Sequence, residues 1–287
     1  MTIPGIHHIT AIAGDPQRNL DFYTQIMGLR LVKLTVNFDD PGTYHFYFGD
    51  NAGTPGSILT FFPWPGAYRG RQGNGQATVI SFAVPSLDGW AARVPEARLI
   101  QRFGAEVLAF TDPDGLQLEL FPSRGTGFAG VTLSESGYEK TAQLLLETFG
   151  YALSATEGNR FRYTSTAGNF VDLLCQPDAR RGSMGAGTVH HVAFRAETDE
   201  IQKQWRHDLL ELRYDVTPVL DRQYFRSIYF HEPGGVLFEI ATDPPGFATD
   251  ETPDKLGTHL KLPPWLESTR PQIEASLPAL RLPTYAG

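Results

Sequence analysis

The chain is poor in cysteine: Cys175 stands alone among 287 residues. A lone thiol closes no intramolecular disulfide, and its solitude fits a reducing, cytoplasmic setting. Placed in the apolar run Val171-Asp172-Leu173-Leu174-Cys175, it reads as core packing rather than as a nucleophile. Dense runs of Lys or Arg are also missing, and the formal net charge is −8. Neither nucleic acid nor an anionic membrane surface is therefore expected as a partner. No apolar stretch approaches the length of a membrane span, and no basic segment followed by an apolar run marks a secretory signal. With 41% hydrophobic and 20% charged residues, disorder is excluded too. The length allows one large or two ordinary domains, and a homo-oligomer is compatible with it.

What is present is histidine in pairs. Gly5-Ile6-His7-His8-Ile9-Thr10 and Val189-His190-His191-Val192-Ala193-Phe194 each open a strand-like run. Eight His scattered at random over this length would give roughly 0.2 such pairs. A carboxylate, Glu239, lies in a third strand-like run, Gly235-Val236-Leu237-Phe238-Glu239-Ile240.

Self-similarity sets the expected fold. Four segments share the order strand, helix, then two or three strands. The first runs from about Gly5 to Trp64, with a strand over Ile6 to Ala13 and a helix over Pro16 to Met27 closed by Gly28. Its later strands are expected near Leu29–Val36, Tyr44–Phe48 and Ser57–Phe62, with Asp39-Asp40-Pro41-Gly42 as a turn. The second begins at Ala77, passes a helix near Leu87–Arg93 and ends in Leu116 to Phe121. The third begins near Gly127, has a helix over Tyr138–Phe149 and ends in Val171 to Cys175. The fourth begins at Thr188, has a helix near Glu197–Leu212 and ends in Val236 to Ala241. The expected class is α+β: four βαβββ modules curled into two half-open barrels. Residues 1–124 hold the N-terminal pair of modules, 125–243 the C-terminal pair, and 244–287 a Pro-rich tail packed on them as a strap or a lid. Gly70-Arg71-Gln72-Gly73-Asn74-Gly75 reads as an inter-module linker, because no strand-loop-helix frame surrounds it.

The repeat acts as an internal control. Asp112-Pro113-Asp114-Gly115 leads to Glu119 as Glu232-Pro233-Gly234-Gly235 leads to Glu239. Aligning Thr188-Val189 with Thr78-Val79 puts Ser81 opposite His191, and Gly130 or Val131 opposite His8. One functional cup, joining the first and fourth modules, and one degenerate cup are expected. Strand parity separates the members of each His pair. His8 is favoured as the ligand because Thr10 and Ile12 continue toward the cup, and His191 by analogy. The ordinary alternative is two pairs of core histidines. Two imidazoles and one carboxylate with open positions favour Fe(II) oxygen chemistry, with Mn(II) as the alternative. Arg222 is placed near the cup rim, where it can hold an anionic oxygen or merely pair with Asp221. Tyr229 lies on the strand leading to the Glu239 hairpin.

At these residues the chain resembles the vicinal oxygen chelate superfamily, the glyoxalase/extradiol dioxygenase fold. The match extends through Phe46-Tyr47-Phe48-Gly49-Asp50, Gly53-Thr54-Pro55-Gly56, Asp172-Leu173-Leu174, Asp221-Arg222, Pro233 to Glu239, and Leu256-Gly257 with Leu260-Lys261. These segments resemble the hydroquinone ring-cleaving dioxygenases, almost end to end. The resemblance implies His8, His191 and Glu239 as iron ligands. It implies supporting or substrate-side roles for His7, Thr10, His190, Arg222 and Tyr229. It also implies a small dihydroxylated aromatic and O2 as the reactants. The rival readings are a glyoxalase-type metal-dependent isomerase or lyase, and a metal-free binding protein that uses the same cup.

Overall fold

In a computed structural model, the structure describes residues 1–285. The first module comprises β1 (Ile6–Ala13), α1 (Pro16–Asp21), β2 (Arg30–Asn37), β3 (Asp40–Gly49) and β4 (Ile58–Pro63). The second has β5 (Gln76–Val84), α2 (Trp90–Arg93), β6 (Arg98–Arg102), β7 (Ala105–Thr111) and β8 (Gln117–Pro122). The third has β9 (Gly127–Glu135), α3 (Glu139–Gln143), β10 (Ala152–Glu157), β11 (Arg160–Thr164) and β12 (Phe170–Cys175). The fourth has β13 (Thr188–Ala196), α4 (Asp199–Glu211), β14 (Leu220–Asp221), β15 (Arg226–His231) and β16 (Leu237–Thr242).

The strands form two eight-stranded sheets, in the orders β14-β15-β16-β13-β1-β4-β3-β2 and β10-β11-β12-β9-β5-β8-β7-β6. Each sheet joins one module from residues 1–124 to one from 125–243: the first to the fourth, and the second to the third. β1 and β13 sit at the centre of their sheet, and every residue of β1 is buried. A strand covered on both faces reads as a continuous apolar run rather than an alternation. That is why the pattern around His7-His8 marks a strand without marking its faces.

The helices depart from the expectation in a repeated way. Asp15 caps α1, its carboxylate accepting from the Arg18 amide at 2.7 Å with Pro16 in the first turn. After Asp21 the backbone widens into a π-helical turn, Phe22–Ile26, and the third module does the same at Leu144–Thr148 after α3. The expected single helices over Pro16–Met27 and Tyr138–Phe149 are each an α-turn followed by a π-turn. Gly28 at φ +72° and Gly150 at φ +74° stop them, a conformation that costs other residues strain. The Leu87–Arg93 helix shrinks to the single turn Trp90–Arg93. The Asp-Asp-Pro-Gly turn moves to Phe38-Asp39, because Asp40 pairs with Asn37 and already belongs to β3.

The linkers after the first and third modules run side by side, bridged at Arg69–Ala186, Arg71–Ser183 and Asn74–Arg181. The tail is a strap along the edge strand β2. Leu260 pairs with Leu34, the Tyr285 hydroxyl accepts from the Leu31 amide at 2.7 Å, and Leu262 and Ile273 (in α5, Arg270–Ser276) cover Val36. Lys33, with no solvent exposure, is pinned between the Asp250 and Glu251 carboxylates. A covered edge is also protected from pairing with another chain.

One buried contact in the fold carries a pH signature. The Thr141 hydroxyl lies 2.8 Å from Glu135 Oε2 and 2.6 Å from Glu232 Oε2, and both acids are buried. One hydroxyl proton cannot serve two carboxylates. Glu232 accepts from the Gly234 and Val236 amides at 2.7 Å each, so it carries the charge and Glu135 keeps its proton. Burial first, and the Glu232 charge second, push the Glu135 carboxyl well above the ordinary carboxylate value. The unfolded chain ionises this group near its ordinary value while the native state holds it neutral. Its contribution to stability is therefore complete at low pH and lost as pH rises. Glu135→Gln should leave stability at pH 5 unchanged and raise it by about 1–3 kcal/mol at pH 9. Urea unfolding across pH measures this, and parallel pH profiles for the two proteins would contradict it.

Candidate metal centre

Ligand candidates come from three adjacent strands: His8 on β1, His191 on β13 and Glu239 on β16. Thr10 pairs with His191 across β1 and β13, and Ala193 pairs with Glu239 across β13 and β16. The curl of the sheet brings the three side chains together. Glu239 Oε2 lies 2.9 Å from His191 Nε2 and 3.3 Å from His8 Nε2, and the two Nε2 atoms are 3.4 Å apart. All three residues are buried.

Two bulges explain why both members of each pair reach the site. The β1–β13 register passes from Ile6↔Phe194 to His8↔Ala193, leaving His7 extra, and from Thr10↔His191 to Ala11↔Val189, leaving His190 extra. A bulged residue escapes strict alternation. His7 Nδ1 thus reaches His8 Nδ1 at 2.9 Å, and His190 Nδ1 reaches His191 Nδ1 at 2.8 Å. The second sheet has the same bulges at Ala129 and Thr78, so they belong to the module rather than to histidine. His7 and His190 are both held down at about 3, by burial first and by the neighbouring His8 or His191 next. As neutral rings each can accept an Nδ1–H, which fixes its partner's Nε2 as the free lone pair facing Glu239.

Burial acts to raise the Glu239 carboxyl, and only positive charge on the His8 and His191 rings would hold it well below the ordinary value; with both Nε2 atoms unprotonated, that role is left to a bound cation. Its Oε1 accepts from the Ser227 hydroxyl. Oε2, buried between two imidazole nitrogens, has no hydrogen-bond donor among the described residues. An ionised oxygen left like this is costly unless a cation completes it. Two imidazole nitrogens and a carboxylate oxygen on one face are a donor set that suits a divalent transition metal with positions to spare. The residues present fit such an ion.

His8 and His191 open onto a cavity of about 390 Å³, walled by Phe38, Phe62, Trp64, Phe225 and Leu237 among others, with Glu239 buried behind them. Thr10, His190, Arg222 and Tyr229 line it, whereas His7 lies behind His8. Arg222 does not pair with Asp221, whose carboxylate instead accepts the Gln223 amide. It bridges to Asp39 at 3.0 Å across the rim, and its Nε donates to the Tyr229 hydroxyl at 3.3 Å. Burial first, then Glu239, push the Tyr229 phenol well up, so it remains a donor. No residue of 244–285 lines the cavity. The tail meets this wall from outside, through Trp265 against Phe38.

The sister sheet corrects the internal alignment. Ser81 pairs with Glu119 as Ala193 pairs with Glu239, so Val79, not Ser81, stands in the place of His191. The marker that fixes this register is Gly75 at φ +80° matching Gly187 at φ +82°, two residues away from the Thr-Val match. Gly130 takes the place of His8, since Gly130 pairs with Ser81 as His8 pairs with Ala193. A Cβ on Gly130 would lie 2.3 Å from the Phe170 ring, so no side chain fits there. Glu119 is satisfied instead by Arg102 at 2.7 Å, and Asp172 by Arg162 at 2.7 Å. Guanidinium charge neutralises the carboxylates of this cup.

Sequence reasoning missed His45, Thr60, Ser227 and Asp39. Alternation along Tyr44–Phe48 could have found the first: Tyr44, Phe46 and Phe48 join the core, while His45 and Tyr47 line the cavity. Parity with Tyr229 could have found Ser227.

Comparison with known proteins supplies the family. Residues 5–120 match the model of the Glyoxalase/Bleomycin resistance protein/Dioxygenase superfamily. The chain is 48% identical to the Bacillus subtilis (strain 168) protein named "Putative ring-cleaving dioxygenase MhqO", over 95% of both chains. It is 33% identical to the chlorohydroquinone/hydroquinone 1,2-dioxygenase of Sphingobium indicum, over 94% of this chain and 95% of that one. The crystal structure of a "putative dioxygenase" from Bacillus subtilis subsp. subtilis str. 168 superposes with a TM-score of 0.94 at 47% identity, covering 99% of each chain. The chain therefore belongs to the glyoxalase/bleomycin resistance protein/dioxygenase superfamily, beside relatives named as ring-cleaving dioxygenases.

Proposed function

We propose that the chain is an Fe(II)-dependent, extradiol-type ring-cleaving dioxygenase acting on a hydroquinone or a related dihydroxylated aromatic. The observation that carries this reading is the meeting of His8 Nε2, His191 Nε2 and the donorless Glu239 Oε2, with both imidazoles lining an aromatic-walled cavity. These three atoms would hold the metal. The chemistry it supplies there is acidification of a phenolic hydroxyl and redox access to dioxygen.

The remaining steps fall to the protein. His7 and His190 hold the ligand rings in one tautomer, and His190, whose Nδ1 accepts from His191, keeps its proton on Nε2 as a donor to a substrate oxygen at the cavity wall. The Arg222 guanidinium donates to the Tyr229 oxygen, which turns the phenolic proton outward as a donor to oxyanion charge growing in the cavity. Thr10 presents its hydroxyl beside His8. The aromatic wall excludes water, which strengthens each of these contacts. Mn(II) fits the same donor set and is the alternative metal.

Oxygen-electrode assays of protein reconstituted with Fe(II) under argon, against substituted hydroquinones and catechols, test the reading. Uptake stoichiometric with ring loss is expected, and no uptake with any of them would overturn it. Tyr229→Phe should lower the turnover rate by about 10–100-fold while iron content stays at the wild-type level. An unchanged rate would remove Tyr229 from the chemistry.

A further inference from the structure

We propose that His45 binds the substrate hydroxyl at the end of the ring remote from the His8–His191–Glu239 face, making it the residue that selects para-dihydroxylated rings. This deepens the ring-cleavage reading and rests on it. His45 lies on β3, two strands from β1, and strand spacing sets those two strands about 10 Å apart. The sheet curls, so His45 and the two ligand imidazoles, His8 and His191, line one cavity.

Three features fit His45 for binding rather than packing. Its ring sits against Tyr47 and Phe62, with centroids 4.1 Å and 4.3 Å away, so its orientation is fixed. Its Nε2 is 2.9 Å from Thr60 Oγ1, which is 2.8 Å from Thr10 Oγ1. Its Nδ1 makes no hydrogen bond to protein among the described residues. The chain His45–Thr60–Thr10 has both ends at the cavity, and its hydrogens must all point one way. If His45 Nδ1 donates to the cavity, Thr10 accepts there, and if Thr10 donates, His45 accepts. Burial holds the imidazole well below its ordinary value, so it stays neutral and keeps both options. A ring with hydroxyls at opposite ends uses both the metal face and His45. A phenol or a catechol presents oxygen at one end only and leaves His45 unpaired, a loss of the kind that separates ligands strongly.

The test is equilibrium binding of hydroquinone, catechol and phenol to Fe(II)-loaded protein without dioxygen, read by calorimetry, with metal content as a control. Wild type should bind hydroquinone at least 10-fold more tightly than phenol. His45→Phe keeps the ring packing and should erase that preference, leaving phenol and catechol affinity within twofold and iron stoichiometry unchanged. His45→Gln, which retains a donor and an acceptor, should restore part of it. Equal weakening of all three ligands in His45→Phe, or no change in any, overturns the proposal. So does a wild type that binds hydroquinone no better than phenol. Tight, His45-dependent hydroquinone binding without oxygen uptake would instead uphold His45 and overturn ring cleavage.

Discussion

Glu239→Ala should abolish oxygen uptake, lowering it by about three orders of magnitude or more, without unfolding the protein. Removing any one ligand takes away a third of the donor set, but Glu239 differs from the histidines because it is the only charge. It is fully buried, accepts from Ser227 through Oε1, and has only two imidazole nitrogens beside Oε2. In metal-free protein that carboxylate is a cost, since an ionised oxygen without a donor has lost its hydration. The metal-free variant should therefore unfold at the same temperature as metal-free wild type, or higher. Adding Fe(II) at about 100 times Kd should raise the wild-type stability by about 2.7 kcal/mol. At this chain length that is about 4–5 °C in Tm, and the variant should show no rise. Thermal scans with chelator and with iron give all four values. A variant that still gains stability from iron would place the ion elsewhere.

The second large effect lies outside the cavity. Lys33→Met should destabilise the protein by about 3 kcal/mol and expose the tail to proteolysis after residue 243. The Lys33 ammonium touches Asp250 and Glu251 and lies 4.8 Å from the Tyr224 ring centre. Tyr224 in turn donates to Asp250 at 3.0 Å. Without the ammonium, two carboxylates face each other near an apolar floor formed by Tyr47, Tyr224 and Phe247. Losing one member of such a group costs far more than the intact group contributes, because the partner charges remain. Adding Asp250→Asn and Glu251→Gln to the variant should recover most of the loss. Denaturant midpoints and limited proteolysis measure both effects. A single variant as stable as wild type would show that the strap is held by its apolar residues alone.

The modules were legible because each carries its own punctuation. A capped helix start such as Asp15-Pro16, a Gly stop such as Gly28 and a Pro-Gly turn before a Glu strand are local signals. The pairing of the first module with the fourth was legible for a different reason: the histidines and the carboxylate had to meet. The bulges were not legible, since nothing in Ile6-His7-His8 or Val189-His190-His191 distinguishes a regular strand from one with an extra residue. That information lies in the hydrogen-bond register with a strand far along the chain. The same limit misplaced Ser81 by two residues, an even slip that keeps the face and so escapes any parity argument. His45 was hidden among Tyr44, Phe46, Tyr47 and Phe48, where aromatic density hid the alternation. The Asp39–Arg222 bridge joins two turns 183 residues apart, and only the curl of the sheet brings them together.

The most direct measurement is anomalous diffraction at the iron edge from crystals grown with Fe(II) under argon. A single peak should appear at about 2.0–2.3 Å from His8 Nε2, His191 Nε2 and Glu239 Oε2 together, with no peak beside Glu119 in the sister cup. Iron bound at any other residues, with these three atoms left unligated, would contradict the account.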